Sequence, residues 1–324
     1  PGRLFTQKFL RDAVTAKCEY AIIEMTSEGA RFFRHAGVHL DALVFTNLSP
    51  EHIESHGSFE KYKKAKLRLV KHLAKSQKTN RISIANTDNE HGHSFLIHPV
   101  NKNISYSLKD VEILHEDQDG SKIKYNDTEI SIPLPGKFNI LNALAAIKLA
   151  DEIGLPIEKS KQGIESLSLI RGRVEKVEAG QDFKVIVDYA HTDDSLRKLY
   201  EAFPTSRKIA VLGSTGGGRD SWKRSVLGKI ADEYCDEIII TNEDPYDEDP
   251  MKIINEVAGG AINHTPIIII DRREAITKAI SLAKTGDVVL ISGKGTDPYI
   301  MGPNGTKLEW DDATVAREEL LRLK

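Results

Sequence analysis

The second half of the chain alternates short, wholly apolar segments with helical stretches, and this alternation constrains the fold more than any other feature. The apolar segments are Val185-Ile186-Val187, Ile209-Ala210-Val211-Leu212, Ile238-Ile239-Ile240, residues 267–270 and residues 288–291. Between them, residues 195–202, 223–234, 251–258 and 274–283 carry helical patterns. A strand that is apolar on both faces must be covered on both, and crossover helices supply the covers. The expectation is a parallel sheet with helices on either side. Ligands of such sheets sit at the carboxyl ends of the strands. Asp188, Gly213, residues 241–244, Asp271 and Gly293 all fall there.

The first half has a different texture. Residues 10–16 suit a helix, and Tyr20-Ala21-Ile22-Ile23-Glu24-Met25 reads as a short strand ending in a carboxylate. A second strand over 42–46 runs into the polar loop 47–56. Residues 59–74 have helical spacing, with Tyr62, Ala65, Leu69 and Leu73 on one face. Short strands are then expected at 82–85, 94–97, 104–108, 111–115, 122–125 and 130–134, separated by charged turns. That pattern suggests an antiparallel sheet added to an α/β domain. Residues 139–153 form a helix stopped by Gly154 and Pro156.

A chain of 324 residues is long enough for two domains with separate cores. The formal net charge of -3 gives no electrostatic case for nucleic acid or an anionic membrane as partner. No apolar run approaches the roughly 18 to 20 residues of a membrane helix. The start, Pro1-Gly2-Arg3-Leu4-Phe5, lacks Met and any signal-peptide design, and reads as the interior of a longer protein. Cys18 and Cys235 each stand alone, which argues for a reducing cytoplasm rather than a disulfide framework.

Several polar residues admit both a structural and a chemical reading. Glu24 is either a solvated strand end or an oxygen ligand for magnesium. The loop from Thr46 to His56 gathers Glu51, His52, Glu54 and His56, a density that suits either a site or a soluble surface. Lys66 on its helix is by itself most simply solvent-facing. Asp188 could bond ribose hydroxyls or cap the next helix, and His191 could stack on a base or meet a phosphate. The loop Gly213-Ser214-Thr215-Gly216-Gly217-Gly218-Arg219-Asp220 lets backbone approach an anion closely. It lacks dinucleotide-binding spacing, and no Walker sequence occurs; Gly293-Lys294-Gly295-Thr296 follows the last strand without the upstream glycine.

Together these segments resemble, in order, the motifs of the Mur ligase family, most closely the UDP-N-acetylmuramoyl-tripeptide synthetases. Glu24-Met25-Thr26-Ser27 is similar to the family's Glu-Val-Ser-Ser, and Phe45-Thr46-Asn47-Leu48 with Glu51-His52 and His56 to its Phe-Thr-Asn-Leu…Asp-His…His. Tyr62-Lys63-Lys64-Ala65-Lys66 resembles Tyr-x-x-Ala-Lys, whose lysine is carbamylated. The resemblance implies that Glu24, His52 and carbamylated Lys66 are catalytic and hold Mg2+, facing the Asp188 and Arg219 loops across a cleft. It implies UDP-sugar contacts from Thr26, Ser27 and Arg34. Gly136-Lys137-Phe138-Asn139-Ile140-Leu141-Asn142, Gly172-Arg173-Val174-Glu175 and Asp188-Tyr189-Ala190-His191-Thr192 match nucleotide-contacting motifs. They place ATP against Asn47, Asn139, Asn142, Arg173, Asp188 and His191. Gly217-Gly218-Arg219-Asp220 with Lys223-Arg224 resembles Gly-Asp-Arg-Asp…Lys-Arg, whose first arginine grips the incoming amino acid. Asp244, Tyr246, Gly293 and Asp297 would join Arg219 there.

The implied architecture is α/β. An incomplete central ATPase domain, mainly parallel sheet plus a small antiparallel sheet and without its phosphate-binding loop, occupies residues 1–170. A Rossmann-like C-terminal domain occupies 171–324. The implied reaction adds an amino acid to UDP-MurNAc-dipeptide through an acyl phosphate, using ATP and Mg2+, in a cytoplasmic and monomeric enzyme of cell-wall synthesis. Tyr246 stands where diaminopimelate-adding members carry arginine, so a second carboxylate would lack a bidentate partner. Lysine or another diamino acid stays open. The alternatives are a folylpolyglutamate synthetase-like ligase, a nicotinamide-dependent dehydrogenase using the 213–218 loop, and a non-catalytic fragment that binds UDP-sugar.

Overall fold

A computed structural model describes residues 2–51, 53–167 and 169–323. The chain divides into two compact units, Pro1–Val111 with Leu141–Ser160, and Glu112–Ile140 with Lys161–Lys324. Residues 112–140 thus group with the C-terminal part of the chain.

The first unit contains α1 (Arg3–Thr15), α2 (Ser27–Arg31), β1 (Ala42–Phe45), α3 (Ile53–His56), α4 (Phe59–Ala74), β2 (Ile82–Asn86), α5 (His93–Leu96) and β3 (Lys102–Tyr106). Strands β1, β2 and β3 form a parallel sheet in that order. Helix α4 begins at Ser58, whose hydroxyl accepts the Lys61 amide hydrogen, and its buried face is Tyr62, Ala65, Leu69, Val70 and Leu73, as the spacing predicted. That face packs on Phe45, Leu48, Ala85 and Phe95, with the Phe45 and Phe95 rings stacked 4.0 Å apart.

Three expectations for this region are corrected. Residues 20–25 do not form a strand: Tyr20 is 59% and Ile22 89% exposed, and neither meets a ladder partner among the described residues. Apolar alternation is insufficient without a neighbouring strand to satisfy the backbone. Residues 94–96 belong to the one-turn helix α5 and Ile97 follows it as the C-cap, so no strand forms there. The 82–85 segment and residues 104–106 lie in the parallel sheet as parts of β2 and β3, whereas residues 107–108 lead into a 3-10 turn. The antiparallel sheet is therefore confined to β4 (Glu112–Asp117), β5 (Gly120–Tyr125) and β6 (Thr128–Ile132).

Helices α6 (Lys137–Glu152) and α7 (Ile157–Glu165) follow. The second unit continues with β7 (Glu175–Lys176), β8 (Lys184–Asp188), α8 (Asp193–Glu201), β9 (Lys208–Leu212), α9 (Lys223–Tyr234), β10 (Glu237–Ile240), α10 (Pro250–Ala258), β11 (Ile267–Ile268), α11 (Arg272–Leu282), β12 (Val288–Ser292), β13 (Tyr299–Met301), β14 (Lys307–Glu309) and α12 (Asp312–Arg322). The sheet order is β11-β10-β9-β12-β8-β7, parallel except for the edge strand β7. Its two faces divide by residue parity. Ile186, Ala210, Leu212, Ile238, Ile240 and Leu290 pack with residues of α8, α9 and α10, whereas Val185, Val187, Ile209, Val211, Ile239 and Ile291 pack with residues of α11 and α12. Every position of β9 and β12 is buried. The strand ends thus become the natural exit for polar chemistry.

The small antiparallel sheet is tied to this unit by charge. Asp119, in the β4–β5 turn, accepts from both Lys176 and Lys184, and the Ser206 hydroxyl donates to Gln118. The two lysines hold the Asp119 carboxyl below the usual carboxylate range.

Candidate active site

In the first unit, the residues of interest gather around α4. Lys66 is half-buried, and its ammonium lies 5.6 Å from the centre of the buried Tyr62 ring. Desolvation lowers its pKa from the ordinary lysine value, and the charges of Glu51 and Glu24 push back in part. Desolvation wins, so the amine is more readily neutral than a surface lysine. The side chain is half-buried beside the Tyr62 ring rather than out in bulk solvent.

Glu24 is one of the charges acting on Lys66, and no strand carries it. Glu51 joins them, a residue passed over as a site candidate even though it precedes His52 in the motif. His52 lies outside the described residues. No group of three or more His, Cys, Asp or Glu side chains gathers at metal-ligand spacing among the described residues. In donor chemistry, Glu24, Glu51 and a carbamate on Lys66 would be the oxygen ligands that a hard divalent cation takes.

The substrate-side residues are partly committed to structure. The Thr26 hydroxyl caps α2, accepting from the Gly29 amide at 3.0 Å. Ser27, buried where Thr26 is exposed, pairs its hydroxyl with His56 Nε2 at 3.1 Å, and the His56 ring lies 5.4 Å from Tyr62. Arg34 donates its backbone N–H to the Gly29 carbonyl, and its side chain flanks that glycine. Asn47 follows β1 and is exposed, as is Asn142 on α6. Asn139, by contrast, is buried and donates to the Pro135 carbonyl at 2.8 Å, fixing the start of α6.

In the second unit, Asp188 is buried at the end of β8. Its two carboxylate oxygens accept from the Val174 and Ala190 amides at 2.8 and 2.7 Å. Burial nevertheless raises its pKa, against those two hydrogen bonds and the nearby Arg173 and His191. Asp188 does not cap α8. Thr192 does, with Ser195 completing a reciprocal capping box. Arg173 stacks 4.8 Å over the Tyr189 ring, which meets His191 edge-on at 4.7 Å. His191 Nδ1 lies 2.7 Å from the Tyr189 carbonyl. A carbonyl can only accept, so Nδ1 carries the hydrogen. Gly172 must be glycine here: φ is +66°, and a Cβ would come within 2.8 Å of the Thr296 nitrogen.

The loops after β9, β10 and β12 meet in one polar cluster. Lys294, 1% exposed, donates to both oxygens of Asp244 at 2.8 and 2.9 Å and lies 3.1 Å from Asp297. Asp244 also accepts from the Met301 amide at 2.8 Å. Its carboxylate is fully engaged, so it shapes the loop from within. Glu243 is buried too and accepts from the Thr215 hydroxyl at 2.7 Å. Gly293 (φ +107°) lets that carboxylate approach, since a Cβ there would lie 2.3 Å from a Glu243 oxygen. Exposed Arg219 lies with Cζ 5.1 Å from the Tyr246 ring centre and donates to the Tyr246 hydroxyl at 3.2 Å. Arg224, almost wholly buried, anchors the Arg219 loop from below through Glu248 and Glu256. Sequence reading named Lys294 and Glu243 but saw no role for them. Their signal lay in being charged residues at the ends of buried strands.

Comparison with known proteins follows this geometry. Residues 1–150 match the Mur ligase middle domain, and residues 172–295 match the Mur ligase, glutamate ligase domain. The chain is 39% identical to the UDP-N-acetylmuramyl-tripeptide synthetase of Roseiflexus sp. (strain RS-1), over 98% of this chain and 67% of that protein. It is 34% identical to the UDP-N-acetylmuramoyl-L-alanyl-D-glutamate--2,6-diaminopimelate ligase of Caldanaerobacter subterraneus subsp. tengcongensis, over 99% and 67% respectively. A solved structure of a ligase with the same diaminopimelate designation superposes with a TM-score of 0.62 at 27% identity, covering 100% of this chain and 69% of that one. The chain thus spans about two thirds of the length of the curated relatives it matches. These matches do not favour the folylpolyglutamate or dehydrogenase alternatives. Among the described residues, no helix is long and apolar enough to cross a membrane. The chain belongs to the Mur ligase family, whose members are ATP-dependent amide ligases, and carries that family's middle and glutamate-ligase domains.

Proposed function

We propose that this chain joins an amino acid to UDP-N-acetylmuramoyl-dipeptide at the expense of ATP, in peptidoglycan precursor synthesis. A carboxylate oxygen of the peptide attacks the γ-phosphorus of ATP, and ADP leaves with the bridging oxygen. The amine of the amino acid then attacks the acyl carbon of the resulting acyl phosphate. Inorganic phosphate departs with the bonding pair, and the new amide nitrogen gives up a proton.

Residues 1–170 bind ATP and the UDP-sugar in this reading, and residues 171–324 bind the amino acid. Glu24, His52 and carbamylated Lys66 hold Mg2+, which when bound screens charge on the phosphates and the attacking carboxylate. Thr26, Ser27 and Arg34 meet the UDP-sugar. Asn47, Asn139, Asn142, Arg173, Asp188 and His191 are the nucleotide contacts in this reading, and within the second unit the Arg173–Tyr189–His191 group lies near the Asp188 carboxylate. Arg219 takes the amino acid's carboxylate, near Tyr246, Asp297 and Gly293, while Asp244 sets the loop. The amino acid is a diamino acid, and the enzyme works as a cytoplasmic monomer.

The observation that most supports this reading is the half-buried Lys66 amine over the Tyr62 ring, desolvated and within the electrostatic influence of Glu51 and Glu24. A more readily neutral amine adds carbon dioxide, and the carbamate formed is an anionic oxygen donor. The test is ADP release by the protein with UDP-MurNAc-dipeptide and, in turn, L-lysine, L-ornithine and diaminopimelate. Release is expected only when dipeptide substrate and a diamino acid are both present, and Lys66→Ala should abolish it. ADP release that ignores the dipeptide substrate, or UDP-sugar binding with no turnover for any amino acid, would overturn the reading.

A further inference from the structure

Tyr246 occupies its place under unusual constraint. Its backbone is left-handed, with φ +51°, a conformation that disfavours a bulky aromatic residue. Two neighbours hold it there. The Tyr246 amide donates to the Met301 carbonyl at 3.0 Å, and the Met301 amide donates back to Asp244 at 2.8 Å. The β13–β14 hairpin thus clamps the loop on both sides of Pro245, and Asn304 adds a third bond by donating to Asp247 at 2.7 Å. The Gly216 amide, donating to the Asp244 carbonyl at 2.7 Å, locks the glycine loop to the same segment.

The ring that this backbone projects is packed from the glycine loop. A Cβ on Gly217 would lie 3.1 and 3.2 Å from two Tyr246 ring atoms, so the bare backbone at Gly217 is what leaves room for the aromatic group. Arg219, only two residues on, lies against the ring and bonds the hydroxyl. An exposed arginine on a glycine-rich loop would otherwise sample many rotamers. Here one ring restricts it by cation–π contact and one hydrogen bond while leaving its remaining N–H groups free to donate.

We propose that Tyr246 is a positioning residue: a ring shelf, set by the β13–β14 hairpin, that pre-organises Arg219 to receive the single α-carboxylate of the incoming amino acid. This rests on the reading that Arg219 is the carboxylate ligand. Selection for amino acids with one carboxylate follows, because the shelf supplies an aromatic surface where a second cation would otherwise meet a second carboxylate. Pre-organisation lowers the entropy lost on binding, so its removal raises KM for the amino acid more than it lowers kcat.

Two measurements on the protein test this. In NMR spectra, the Arg219 side-chain protons should be shifted upfield by the Tyr246 ring; the shift should survive in Tyr246→Phe and vanish in Tyr246→Ala. In the ligation assay, KM for L-lysine should rise about tenfold in Tyr246→Ala, with kcat little changed, and be largely restored in Tyr246→Phe. An unshifted Arg219 signal in an active wild-type enzyme overturns the shelf and leaves the proposed reaction standing. So does a Tyr246→Ala variant whose lysine KM is unaltered, or one in which Phe fails to rescue. A shifted signal in a protein that ligates no amino acid overturns the proposed reaction, and with it the purpose assigned to the shelf.

Discussion

Lys294 and Asp244 form a buried ion pair in which the lysine ammonium contacts both oxygens of the carboxylate. They are 50 residues apart in sequence, one after β12 and the other after β10. Burying both charges is unfavourable by itself; the pair persists because Met301 and Asp297 satisfy more of their hydrogen-bonding capacity. Removing one partner strands the other. Asp244→Ala is expected to destabilise the second unit by about 3–5 kcal/mol, and Asp244→Asn, which keeps one acceptor, by less. Both tryptophans, Trp222 and Trp310, lie in this unit, so urea unfolding followed by tryptophan fluorescence reads the effect directly. An Asp244→Ala midpoint equal to wild type would show that the pair does not hold the loop.

Asp188 offers a sharper contrast between isosteres. Each of its oxygens accepts a backbone N–H, so both positions need an acceptor. Asp188→Asn turns one acceptor into a donor facing an N–H group. The expected loss is roughly 1–3 kcal/mol in unfolding free energy, despite nearly unchanged volume. ATP affinity should fall in parallel, because Val174 follows Arg173 and Ala190 lies between Tyr189 and His191. Calorimetric titration with ATP and denaturation of the same sample would check both effects; an Asn variant as stable as wild type would contradict the bonding described.

In the first unit, His35 is buried, with the His72 ring edge-on at 4.8 Å. Its Nδ1 is buried without a hydrogen-bond partner, while His72 Nε2 meets the Val38 carbonyl at 2.7 Å. Burial, then the charges of His72, Arg68 and Arg3, lower the His35 pKa from its ordinary value of 6.5. The folded state then binds fewer protons than the unfolded chain below that value, so stability is lost as pH falls through it. Protection factors of the α2 and α4 amides, which divide out the intrinsic pH dependence of hydrogen exchange, should fall between about pH 7 and about pH 5. His35→Phe should flatten that acid dependence, and an unchanged slope in the variant would place the responsible proton elsewhere.

The legible parts of this protein were those encoded by short-range periodicity. Ile186 and Val187 go to opposite faces of the sheet because strand side chains alternate, and Tyr62 to Leu73 share a helix face because 3.6 residues make a turn. What failed depended on partners. Residues 20–25 are apolar enough for a strand yet find none to pair with, and residues 94–97 are too short for periodicity to separate strand from helix turn. Whether β2 and β3 pair in parallel is likewise a matter of chain path, not composition. In the candidate site, family motifs singled out Lys66, Asp188 and Arg219 as proposals. The engagement of Asp244 by Lys294, and the half-burial of Lys66 over the Tyr62 ring, required coordinates, because burial decides whether a charge is solvated surface or internal scaffold.

The residue at position 246 also bears on which amino acid is added. With Tyr246 in place, Arg219 is the cation stacked on the loop, and one guanidinium can grip one carboxylate in bidentate fashion. Tyr246→Arg brings a second guanidinium beside the first. Like charges repel there until an anion bridges them, and diaminopimelate brings a second carboxylate that lysine lacks. A charge-assisted bond of about 1.5–3 kcal/mol corresponds to roughly tenfold or more in relative preference. The ratio of kcat/KM for diaminopimelate over L-lysine should therefore rise by about that factor in Tyr246→Arg. The same variant should lose affinity for lysine, since the ring beneath Arg219 is gone. Competition between the two amino acids in one reaction, with products separated by mass, measures the ratio without reference to total activity. A ratio that stays at its wild-type value would mean that carboxylate selection resides outside this loop.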